Sequence, residues 1–183
     1  DIDIKFPDNR TAIVTDITEI ALLHAYRGQY QQALHKVNHH LDSSHFAVRK
    51  NVDRQAYSNL LLTKARIEFA LGEYVNAEIA LLKCADVIAH YPFSVQKAEV
   101  NHLLGLLYKD QGRFSESATY LSNSIAEAKK ENINATMPLH ALGDLFFLQG
   151  LLEAGIIKHT EALADAKKSN IIPLQIQSHI HIG

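Results

Sequence analysis

Leu104-Gly105-Leu106-Leu107-Tyr108-Lys109-Asp110-Gln111-Gly112-Arg113-Phe114-Ser115-Glu116-Ser117-Ala118 decides the fold. Its apolar residues recur at helical spacing up to Gly112, and a second amphipathic stretch begins two residues beyond. The arrangement returns three more times: Gly28-Gln29-Tyr30 leads to Ala33, Gly72-Glu73-Tyr74 to Ala77, and Gly150-Leu151-Leu152 to Ala154 and Gly155. Gly28, Gly72, Gly112 and Gly150 are 44, 40 and 38 residues apart. A glycine kept in phase between amphipathic stretches marks a repeating helical hairpin, whose apolar face is buried by the next hairpin in line.

Other positions keep the same phase. Ala128-Lys129-Lys130-Glu131-Asn132-Ile133 returns 38 residues later as Ala166-Lys167-Lys168-Ser169-Asn170-Ile171. Seven residues before the hinge stand Ala65, Gly105 and Gly143. A small residue there lets paired helices approach closely. His179-Ile180-His181-Ile182-Gly183 lines up with Leu139-His140-Ala141-Leu142-Gly143. On that alignment the chain stops inside the first helix of a fifth repeat, and a piece of a longer protein is expected. An incomplete repeat exposes Ile176, Ile180 and Ile182, so pairing of two copies through that end is the expected consequence.

Composition narrows the function classes. The chain has 183 residues with 47% hydrophobic content, enough for a packed interior. Its 18 basic and 20 acidic residues are mixed along the chain and give a net charge of −2, with no patch suited to nucleic acid or a membrane surface. The apolar runs are far short of a membrane span, and no signal peptide is visible. Cys84 is the only cysteine, which excludes a disulfide framework or a thiol zinc cluster and predicts a packed thiol. A Gly-rich phosphate loop, a nucleophile elbow and a paired Cys and His are all missing, so no catalytic residue is assigned.

Residues 1–9 alternate Ile2, Ile4 and Phe6 before Pro7, an extended pattern. The first helix is predicted from about Arg10 to Arg27 and its partner from about Tyr30 to Leu41, followed by a break at Asp42-Ser43-Ser44. Later helix starts are marked by Asp53, by Pro92 and Ser94, by Thr136 with Pro138, and by Pro173. Lys129-Lys130 and Lys167-Lys168 are placed at helix C-termini, where they meet the negative end of the helix dipole.

The spacing Leu104-Gly105, Tyr108, Gly112, Phe114, Ala118, repeated as Leu142-Gly143, Phe146, Gly150, Ala154, resembles the tetratricopeptide repeat (TPR). The resemblance covers nearly the whole chain after residue 10. The repeats run to 38 to 44 residues rather than about 34, and the family's Trp and closing Pro are missing. Such long repeats look like the variant in bacterial regulators. The implied fold is all-α: a right-handed superhelical solenoid of antiparallel helix pairs, about four repeats plus the start of a fifth. Expected boundaries are about 10–44, 45–91, 92–133, 134–171 and a partial 172–183.

In a stack of this kind the first helices line the concave face. Counting ten, six and three residues back from each hinge gives Thr18, Leu22, Ala25; Leu62, Arg66, Phe69; His102, Leu106, Lys109; and His140, Asp144, Phe147. The mixture is apolar with a few charges and suits a peptide or a helix. The expected function is therefore a non-enzymatic interaction module without cofactor or resident metal. Its partner is a protein, a peptide or another domain of its own chain, as in the regulatory part of a larger bacterial regulator. The alternative is the sensor region of a membrane-bound kinase or cyclase; the compartment stays open, cytoplasmic being favoured and periplasmic an option for a sensor region. A third, lesser alternative is a metal site at His35, His39 and Asp42, spaced i, i+4 and i+7 on one helix face.

Overall fold

A computed structural model of the chain describes residues 10–42, 51–170 and 172–176. The described residues are helical, with no β-strand, and fall into two compact units, 1–93 and 94–183. The first unit holds α1 (Arg10–Tyr26), α2 (Tyr30–Asp42), α3 (Asn51–Ala70) and α4 (Tyr74–Ile88). The second holds α5 (Ser94–Asp110), α6 (Phe114–Lys130), α7 (Thr136–Leu148) and α8 (Leu152–Lys168). The extended segment expected at residues 1–9, the break at Ser43 and Ser44, and Ile180 and Ile182 lie outside the described residues. Residues 172–176 are helical, and Ile176 is exposed.

Each pair α1–α2, α3–α4, α5–α6 and α7–α8 is joined by the same turn. The hinge glycines have φ of 75°, 77°, 74° and 75°, and a Cβ on any of them would meet nothing within 4 Å. Torsion rather than space selects glycine there. Arg113 N–H donates to the Tyr108 carbonyl at 2.8 Å and Gly112 N–H to that of Lys109 at 3.0 Å, the bond pair of a Schellman cap. The same bonds close the other hairpins from Gln29 to His24, Glu73 to Glu68 and Leu151 to Phe146. α6 and α8 instead run into Asn132 and Asn170, both at φ 54°. Asparagine tolerates the left-handed region better than other non-glycine residues, so these two stop the helices and the lysine pairs only flank the ends.

Small residues set how close the helices come. Ala21, Ala65, Gly105 and Gly143 before the hinges are all buried, as are Ala33, Ala77, Ser117 and Gly155 after them. Ser117 Oγ donates to the Gly105 carbonyl at 2.7 Å, so in α5–α6 the two small positions touch. The bulky residue of the second helix comes nine positions after the hinge: Val37, Leu81, Leu121 and His159, each essentially buried. One further contact recurs: Ser124 Oγ donates to the Ala98 carbonyl at 2.6 Å, and Cys84 Sγ to that of Ser58 at 3.5 Å. Cys84 is thus a buried thiol in the place of the Ser124 hydroxyl, where it ties the end of one helix to the start of its partner.

Candidate functional site

The positions predicted for a first-helix groove differ in exposure. In the first unit Leu22 is half-buried and Arg66 exposed. Phe69 packs on Tyr74 with ring centroids 5.6 Å apart, and Leu62 is 3% exposed. In the second unit His102, Leu106, Lys109, Asp144 and Phe147 are half-buried, with Leu106 resting on the core formed by Leu121, Leu139 and Leu145, while His140 is 3% exposed. Leu62 and His140 therefore lie beneath the surface, while Leu22, Arg66, Phe69, His102, Leu106, Lys109, Asp144 and Phe147 can be reached from outside.

Three of those positions meet a residue the sequence pattern did not single out. His159 of α8 is fully buried. Its Nδ1 is 2.9 Å from His140 Nδ1, which requires a proton on one nitrogen and a lone pair on the other. Its Nε2 is 3.5 Å from Asp144 Oδ1, and its ring lies 5.0 Å from that of Phe147. Gly143 makes room for it: a Cβ there would sit 2.7 Å from His159 Nε2. The signal was present, because an imidazole stands nine residues after the hinge where the other repeats have Val37, Leu81 and Leu121.

A second feature belongs to the first unit. α2 and α4 are separated by a cleft of about 600 Å³ floored by α3. Glu68 lines it with a side chain only 5% exposed. Lys64 Nζ lies 3.7 Å from Glu68 Oε1, whereas Oε2 accepts no hydrogen bond from any described residue. Four residues before the hinge, repeats three and four carry Tyr108 and Phe146. A carboxylate at an aromatic position is the sequence signal for this cleft.

Burial pushes the Glu68 carboxyl above its ordinary value of 4.5; Lys64 works against that, and Glu73 adds to it. A raised folded value means that the group's contribution to stability is fully present below about 4.5 and is lost as pH rises through the folded value. Glu68→Gln is therefore expected to stabilise the chain at pH 7, by about 1 to 3 kcal/mol for removal of a poorly satisfied buried charge, and to have little effect near pH 4. Urea unfolding at the two pH values checks this, and equal shifts at both would contradict it.

His35 and Asp42 line the same cleft, but His39 is not among its lining residues. The His35 and His39 rings are stacked with centroids 6.5 Å apart, and His40 Nδ1 donates to the Lys36 carbonyl at 2.9 Å. Among the described residues no three His, Cys, Asp or Glu side chains are grouped so as to hold a metal ion. No helix among them is long and apolar enough to cross a membrane.

The repeated hairpins and their glycine caps define a TPR-like fold of the solenoid class, and solved structures share it. BtubC (BKLC) from P. vanneervenii matches with a TM-score of 0.80 at 16% identity, over 94% of this chain and 71% of that one. A kinesin light chain candidate with nearly identical TPR-like repeats from Podosopora anserina matches with a TM-score of 0.74 at 16% identity, over 96% and 86%. A single-residue variant of that protein gives 0.76 at 16%, over 97% and 86%. No protein-family model matches the chain, and no curated protein matches it significantly in sequence.

Proposed function

We propose that the chain is a protein- or peptide-recognition module whose first helices offer the contact surface, and that it serves as the partner-recognising, regulatory part of a larger bacterial regulator. What carries the proposal is the stripe at fixed offsets from the hinge, half-buried or exposed in both units at Leu22, Arg66, Phe69, His102, Leu106, Lys109, Asp144 and Phe147. Half-buried apolar groups beside fixed charges suit the apolar anchors and polar edge of a peptide. The TPR-like fold supports the reading, since a repeat array builds extended surface from identical units. The regulatory role rests on the likeness of the long repeat to that of bacterial regulators.

Arg66 and Lys109 are the informative substitutions, because Phe147 also supports His159 and its loss would disturb the fold. Peptides of twelve residues selected from a random display library on the purified chain supply the probe. Arg66→Ala is expected to weaken peptides held by the first unit, and Lys109→Ala those held by the second, each by about tenfold, equivalent to 1.4 kcal/mol, at unchanged helical circular dichroism. A library that yields no enriched peptide, or peptides that both variants bind as tightly as the parent chain, would refute this function.

A further inference from the structure

The cleft of the first unit lies on the side of the second helices, apart from the stripe on α1 and α3, and the charges along it are largely accounted for. Lys83 Nζ sits over the Tyr57 ring, 5.5 Å from its centre. Glu73 Oε2 accepts from Asn76 Nδ2 at 3.0 Å. Lys64 faces Oε1 of Glu68. Besides His35 and Asp42, which also line the cleft, what remains is Glu68 Oε2, a buried oxygen of a cleft-lining residue that accepts no hydrogen bond from the described residues. An acceptor held this way gains a charge-assisted hydrogen bond from a cation that reaches it, and leaving it unmade is costly.

We propose that this cleft binds a lysine side chain of a partner peptide, its ammonium on Glu68 Oε2 and its apolar neighbours along α4. Three observations select this occupant. Glu68 and Glu73 stand at one hairpin turn and both line the cleft, so their like charges favour a cation over a neutral amide donor. One unpaired, buried oxygen suits a compact ammonium better than the two-pronged guanidinium of arginine. Val75, Ile79 and Leu82 are exposed at spacings of four and three on α4, with Ile79 on the cleft wall. They give the residues flanking the lysine an apolar strip, which a free amine would leave uncovered.

The proposal is independent of the first-helix stripe, and its test is chosen to fail separately. Acetyl-Leu-Lys-Leu-amide is titrated into the isotopically labelled chain and followed by amide NMR, beside the norleucine peptide of the same length and n-butylammonium. The lysine peptide is expected to shift amides within residues 61–83 and to bind at least tenfold more tightly than either control. Glu68→Gln, which keeps the shape of the side chain and is expected to raise stability, removes that preference, while Arg66→Ala leaves it unchanged. Equal binding of the lysine and norleucine peptides, or a preference that survives Glu68→Gln, overturns the site. n-Butylammonium binding as tightly as the peptide overturns the peptide assignment.

Discussion

Leu121→Ala is expected to destabilise the second unit by about 3 to 5 kcal/mol, Gly105→Ala by about 1 to 2 kcal/mol, and the double substitution by less than their sum. Leu121 is fully buried, and its loss opens a cavity against α5. At Gly105 two effects compete. Alanine raises helix propensity by about 1 kcal/mol over glycine, but its Cβ would lie 2.6 Å from Leu121 Cγ and Cδ2 and 3.3 Å from the Leu121 backbone nitrogen. Cγ and a backbone atom do not move aside as a side-chain tip does, so α5 and α6 must separate, and overpacking of about 1 to 3 kcal/mol outweighs the propensity gain. With Leu121 shortened the new methyl enters the cavity, and a favourable coupling of about 1 kcal/mol follows. Urea unfolding of the three variants measures it. A Gly105→Ala protein more stable than the parent would show that the pair has slack that these distances deny.

How much of this was legible in the sequence varies with the kind of residue. The hinge glycines were legible because a positive φ admits few residues and the chain repeats the demand four times. So were the helix bounds, with α1 and α2 ending within a residue of expectation. α3 begins at Asn51, two residues before Asp53, the residue expected to cap it. α7 begins at Thr136, the start that Thr136 and Pro138 mark, and the sequence shows the local bond of Thr136 N–H to Asn134 Oδ1 at 3.1 Å more readily than the distant one: Asp165 of α8 also accepts from Ala135 N–H at 2.7 Å and from the Thr136 hydroxyl at 3.0 Å. Offsets from the hinge name the positions of a stripe, but exposure along it depends on how far each helix pair closes, which places Leu62 and His140 below the surface. Glu68 and His159 were visible only as departures from the pattern, and a departure gains meaning once it is known what the pattern packs against.

His140 and His159 lead to the other large expected effect. Replacing either by leucine strips the other's Nδ1 of a hydrogen bond in a site with almost no solvent, at an expected cost of about 1 to 3 kcal/mol. Replacing both removes donor and acceptor together, a change that costs little when the shape is kept. Two other hairpins indicate that the shape is kept. The second repeat carries Leu62 and Leu81 at the same two offsets from its hinge, both buried. The third repeat packs Leu121 directly on a glycine, as a leucine at 159 would pack on Gly143. The double variant is therefore expected within about 1 kcal/mol of the parent in urea unfolding at neutral pH, with each single variant below it. If the double variant were as unstable as the two singles added together, the imidazole pair would have a structural part that leucine cannot take, and the contact of His159 with Asp144 and Phe147 would be the place to look for it.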